Sequence, residues 1–155
     1  MRKILSMLLA LTATASLAFA ATETVNCGGS AILNANPKTG YHFVRWEKDG
    51  VQVSTSASYQ VTNIQADASY TAIFAPNTNT PYTVKHYQQN LDGTYPAVAT
   101  DVDNLTGTTG APTAAEAKSY PGFTKVDFEQ GTIAADGTTV ITINYTRNTY
   151  ALSWV

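Results

Sequence analysis

The sequence predicts a mainly β fold with an α+β component: two small modules in tandem behind an export signal. Three observations predict it. Apolar and aromatic residues make up 44% of the chain, and through most of it they recur with a period of two, as half-buried strands require. Charged residues are only 13%, while Thr, Asn, Ser and Gly are abundant and there are nine Tyr, a mixture that favours pleated strands and turns over helices. The turn pairs Asp49-Gly50, Asp92-Gly93 and Asp136-Gly137 divide the alternating stretches into hairpin-sized pieces.

Residues 1–20 read as a secretory signal. Arg2 and Lys3 supply a positive start, Ile4 to Leu17 form an apolar run diluted only by Ser and Thr, and Ala18-Phe19-Ala20 gives a small-x-small cleavage pattern. The run falls short of the ~20 apolar residues that span a bilayer, so no stable membrane span is expected after its removal. Cleavage would leave seven basic residues against eleven acidic ones, a net charge of -4. Such a balance attracts neither nucleic acid nor anionic lipid. The single cysteine, Cys27, cannot form an internal disulfide and is expected as a small buried side chain. Thr24-Val25-Asn26 before it lacks the small and apolar residues of a lipid-attachment box.

Pro76-Asn77-Thr78-Asn79-Thr80-Pro81 is polar and stiffened by its flanking prolines, which marks 76–81 as a linker. The first module then runs over 22–75 and the second over 82–148. At about 55 to 65 residues each, both lie near the lower limit for a self-sufficient core. In the first module, Ala31, Leu33 and Ala35 alternate before the turn at Pro37-Lys38-Thr39-Gly40. Tyr41, Phe43 and Arg45 then fall on one strand face and His42, Val44 and Trp46 on the other. Asp49-Gly50 turns the chain into Val51 and Val53, and Tyr59-Gln60-Val61 and Tyr70 to Phe74 complete four or five strands.

The second module opens with Tyr82 to Gln88, turns at Asn90 to Gly93 and continues from Tyr95 through Val98 and Val102 to Leu105. Ala111 to Lys118 is its expected helix, with Pro112 suited to a first turn and three alanines and Glu116 behind it. Phe123 to Phe128 and Val140 to Tyr145 are strands, the latter with Ile141, Ile143 and Tyr145 facing inward. Two strands, a helix and two strands suggest a compact α+β module of β-grasp type. Residues 149–155 alternate like a fresh strand. They either add to the edge of the second module or begin a further repeat, and Arg147-Asn148-Thr149 reads as the junction before such a start.

The segments YTVKHYQQNLDGTY (82–95), LTGTTG (105–110), PGF (121–123) and GTIAADGTTVITINYTRNTYALSW (131–154) resemble the Listeria-Bacteroides, or internalin B-type, repeats and the related mucin-binding-protein repeats. GYHFVRWEKDGVQVS (40–54) with SYTAIF (69–74) resembles the divergent version of that repeat. The resemblance implies β-grasp-like modules strung along bacterial surface or envelope proteins, acting as stalks or as adhesive and sensing surfaces, while the small size of each module makes packing against neighbouring repeats the expected partnership. It implies no enzyme and no cofactor.

The supply of reactive groups agrees with that expectation. His42 and His86 sit in different modules, each in mid-strand, without further ligands at metal spacing. Asp101 and Asp103 share a strand face but lack the glycine and later Glu of a calcium loop, and so read as a solvated face. Rings on a strand can stack on sugars, which makes Tyr41, Trp46, Tyr59, Tyr87, Tyr95 and Tyr120 the candidate contacts to a host glycoprotein, a mucin or a cell-wall glycan. The same ring types also fill small cores.

Overall fold

The computed structural model describes residues 2–9 and 20–155, and every regular element among them is a strand. The chain divides into two units, Met1–Asn77 and Thr78–Val155.

The first unit contains strands β1 (Arg2–Leu9), β2 (Ala20–Asn26), β3 (Ala31–Asn34), β4 (Tyr41–Lys48), β5 (Val51–Ser54), β6 (Ser58–Val61) and β7 (Ser69–Pro76). Five of them form a sheet in the order β2-β1-β7-β4-β5, and β3 and β6 pair as a separate ribbon. Ala31, Leu33 and Val61 from the ribbon and Ala35 and Ile64 beside it close over Trp46, Tyr70, Ala72 and Phe74 from the sheet. The alternation of β3, with Ala31 and Leu33 buried and Ile32 and Asn34 exposed, matches the sequence pattern. The β4–β5 turn has Asp49 at φ 51° and Gly50 at φ 77°, the two positive values of a type I′ hairpin.

Arg2–Leu9, read from the sequence as part of an export signal, is paired antiparallel with β2 and parallel with β7. Ala18 and Phe19 of the expected cleavage pattern lie outside the described residues. The two faces predicted for β4 need correction. Phe43 pairs with Phe74 and Arg45 with the adjacent Ile73, so Val44 is an extra residue that resets the alternation. Phe43 and Trp46 consequently meet on the core side, with ring centroids 5.7 Å apart.

The second unit contains β8 (Thr80–Gln88), β9 (Asp101–Gly107), β10 (Phe123–Lys125) and β11 (Val140–Arg147) in one sheet of order β10-β11-β8-β9. Tyr82 and Val84 of β8 and Ile141, Ile143 and Tyr145 of β11 form its core with Ala115 and Ile133 from the connections. The strand expected from Tyr95 shortens to β9, and Val98 stands 80% exposed. Thr80 and Pro81, expected in the linker, belong to β8. Thr80 pairs with Gly107, and its hydroxyl meets that of Thr109 at 2.6 Å.

The expected helix over Ala111–Lys118 is not there; the segment runs extended across the sheet. Thr113 and Ala115 are buried while Ala114 and Glu116 are exposed, a period of two. Its backbone donors go to distant acceptors: Thr113 N–H to Gly131 O at 2.8 Å, Ala115 N–H to Gln130 Oε1 at 2.9 Å and Lys118 N–H to the Tyr145 hydroxyl at 2.8 Å. Eight residues of good helix former make a marginal helix in water, and hydrogen bonds that also seat Ala115 in the core outweigh a few tenths of a kcal/mol of propensity per residue. The unit is therefore mainly β, with an extended strap where a β-grasp would carry its helix.

Four strands of the first sheet, β2-β1-β7-β4, share the topology of the second unit's sheet; β5 and the β3–β6 ribbon have no counterpart there. In each, the first and last strands (β1 and β7, β8 and β11) run parallel at the centre of the sheet. An antiparallel strand flanks each of them: β2 on β1 and β4 on β7, β9 on β8 and β10 on β11. After β11, Asn148 N–H is held by Gly122 O at 2.9 Å. Beyond it Tyr150, Leu152 and Trp154 are 80%, 87% and 86% exposed and belong to no strand.

Candidate functional site

The densest group of polar and titratable side chains lies in the second unit, where the end of the strap meets β8, β9 and β11. Alternation along β8 turns His86 inward beside Val84, and it is fully buried. Its Nδ1 lies 2.8 Å from the Tyr145 hydroxyl and its Nε2 3.1 Å from Asp103 Oδ2. Tyr145 Oη also accepts the Lys118 N–H; in the neutral tautomer with its proton on Nε2, His86 donates to Asp103 and accepts the Tyr145 O–H at Nδ1. One proton on each atom satisfies the whole chain of bonds.

Asp101 and Asp103 share one face of β9, as the sequence indicates, and both stay partly exposed to solvent while one cation bridges them. Lys118 Nζ donates to Asp101 Oδ2 and to Asp103 Oδ1, both at 2.6 Å. Its ammonium holds both carboxyls below the usual carboxylate range, and the two carboxylates together hold Lys118 above the usual lysine value. Tyr120 packs edge-on to Tyr145 with centroids 4.8 Å apart and donates to Asp101 Oδ2 at 3.3 Å. Burial pushes the phenols of Tyr120 and Tyr145 up.

The arrangement acts as a clamp. Each acid is matched to a base, and each buried donor has an acceptor. Among the described residues no three His, Cys, Asp or Glu converge as metal ligands. Sequence reasoning noticed His86 and the Asp101/Asp103 spacing but missed Lys118 and Tyr145 as their partners. Lys118 was assigned to a helix that does not form, and the register joining β8 to β11 is invisible in the sequence.

The six candidate aromatic contacts divide between the two units. Trp46 must be corrected to a core residue: it is wholly buried, its indole N–H directed at Ala57 O 3.4 Å away. Tyr59 lies edge-on to Tyr70 at 6.2 Å against the first core, and Tyr120 packs on the second. Tyr41, Tyr87 and Tyr95 are half-buried. Tyr41, Trp46 and Tyr59 belong to the first unit and Tyr87, Tyr95 and Tyr120 to the second. Cys27, expected to be buried, is exposed, with its thiol 3.1 Å from Gln65 Oε1.

With a first strand, a ribbon-covered sheet and a closing parallel strand, the first unit has the outline of a repeat module, and residues 7–78 match the divergent InlB B-repeat domain family. The match covers most of the first unit. The match begins at Met7, inside β1, and ends two residues past β7. The matched stretch thus includes Met7, Leu8 and Leu9, three of the four β1 residues that pair with β7. No curated protein matches the chain. No helix among the described residues is long and apolar enough to cross a membrane.

Proposed function

We propose that the protein is an exported bacterial envelope or surface protein whose B-repeat and its topological companion serve as a structural spacer or adhesive module. The observation that carries this reading is the B-repeat match, joined to a second unit whose four-stranded sheet has the order of the four strands β2-β1-β7-β4 of the first. Repetition of one topology along a chain is how repeat proteins build length, each unit contributing surface rather than chemistry. The residues at the start of the chain supply the means of export. The charge clamp of the second unit supports the reading further: it uses the most reactive side chains of that unit to hold a strap in place.

Expression with the native N-terminus in a bacterial host, followed by fractionation and intact-mass measurement, tests this. The expected product lies outside the cytoplasm and begins at Ala21. Recovery of an uncleaved cytoplasmic chain would overturn it. Glycan and mucin arrays probed with the same product test the adhesive half of the reading.

A further inference from the structure

Residues 62–68 join β6 to β7, close to the point where Lys48 of β4 pairs with Tyr70 of β7. Between this loop and the end of the sheet lies a cavity of about 250 Å³. Its floor is apolar and buried, made by Val61, Ile64 and Tyr70, and its rim is polar and exposed, made by Lys48, Asn63, Gln65 and Asp67. The volume falls just below the ~300–1,000 Å³ of sites for drug-sized ligands, so it suits one small ring.

The loop is held in one shape by the turn after β2. Gly28 N–H donates to Ile64 O at 2.9 Å, and Ile64 N–H donates to Gly29 O at 3.0 Å. The Cys27 thiol donates to Gln65 Oε1 at 3.1 Å, and Gln65 Nε2 donates to Asn63 Oδ1 at 2.5 Å. The last bond orients the Asn63 carboxamide, whose own donors are on the other atom. Asn63 also has φ 52°, a left-handed conformation that costs energy in any residue with a Cβ and that Asn bears better than most. Asp49, the other such residue among those described, is accounted for by its hairpin. Asn63 is in no hairpin, and backbone strain of this kind gathers at ligand contacts.

The lining selects a class of ligand. Lys48 and Asp67 are the charged groups of the rim, and their opposite signs give no net charge to recruit an ion. β4 and β7 are both interior to their sheet, so a peptide finds no edge to join there. A buried apolar floor under a rim of donors and acceptors matches a ring with C–H groups on one face and hydroxyls around its edge.

We propose that this cavity binds one neutral hexopyranose unit, as a free sugar or as the end of a glycan. The C–H face of the sugar rests on Val61, Ile64 and Tyr70, and its hydroxyls meet Asn63, Gln65, Asp67 and Lys48. The site gives the adhesive half of the proposed function a location and rests on that half where the sugar ends a longer glycan; the test keeps the two apart.

The isotope-labelled full chain is titrated with the methyl glycosides of glucose, galactose, mannose and N-acetylglucosamine. At least one should shift the amide signals of Ile64 to Ala68 and of Tyr70, saturating in the millimolar range expected of so few atoms, and methyl glucuronide should bind more weakly. Asn63→Gly permits the same backbone conformation and removes the carboxamide; it should weaken binding about tenfold, the worth of one or two hydrogen bonds. Ala66→Trp, at an exposed lining position, should abolish binding. In both variants the signals of β3 and β4 should stay in place, showing a folded unit. No shift with any of these glycosides, or binding that both variants leave unchanged, would overturn the site. On a glycan array, parent binding that Ala66→Trp removes assigns the end of a glycan. A blank array with glycoside binding intact assigns a free sugar and removes the adhesive reading. Array binding that survives Ala66→Trp would overturn the site and leave the adhesive reading standing.

Discussion

The hydroxyl of Tyr145 accepts the backbone N–H of Lys118 at 2.8 Å, tying the end of the strap to the central strand of the second unit. That bond takes the donor a helix would have used, and it fixes where the Lys118 side chain emerges over β9. Tyr145→Phe should therefore destabilise the second unit by about 1–3 kcal/mol, because Lys118 N–H and His86 both lose a buried partner. Urea unfolding of the variant should show a lower midpoint with an unchanged slope. A midpoint equal to that of the parent would remove the strap's dependence on this bond.

Acid should loosen the same region. The folded-state values of Asp101 and Asp103 are lowered by Lys118, so their contribution is present above the unfolded value of about 4 and is lost as pH falls through the depressed folded values. Lys118→Met should lower stability at pH 7 and flatten the acid limb of the stability profile. Parallel acid limbs in parent and variant would count against the clamp.

Trp46 is the largest fully buried side chain of the first unit. Trp46→Ala should cost about 3–5 kcal/mol, enough to unfold a unit of this size. Calorimetry should lose the transition of the first unit and keep that of the second. Simultaneous loss of both would show that the units fold as one.

Two glycines with similar backbone angles should behave differently. Gly50 has φ 77° and no atom within 4 Å of the place a Cβ would occupy, so Gly50→Ala should cost only the left-handed backbone strain of about 1–2 kcal/mol. At Gly137, φ 76°, an added Cβ would lie 2.7 Å from Pro81 Cγ, and Gly137→Ala should cost clearly more as β8 is pushed aside. Equal midpoints for the two variants in thermal unfolding would contradict the placement of Pro81 against that turn.

Strands with one clean face were legible from residues alone. β3 and β11 bury the residues their alternation selects, and Asp49-Gly50 forms the turn its types favour, because these depend on neighbours within the segment. The bulge at Val44 was not legible, since an inserted residue is defined only against a partner strand. The same holds for the strap, whose alanines favour a helix locally while Tyr82, Gln130 and Tyr145 supply acceptors from afar. The clamp was half legible: spacing put Asp101 and Asp103 on one face, but only the crossing of the strap brought Lys118 to them.

By itself the sequence determined the mainly β class, the strand-and-turn rhythm and the repeat resemblance, and it made the first twenty residues read as an export signal. Only the tertiary structure decided that part of this segment also completes a sheet, that Trp46 belongs to a core, and that an extended strap takes the place of a helix. The physical reason is common to all three. Periodicity records what one segment prefers, whereas strand order, register and the partners of a buried polar group are properties of two segments meeting.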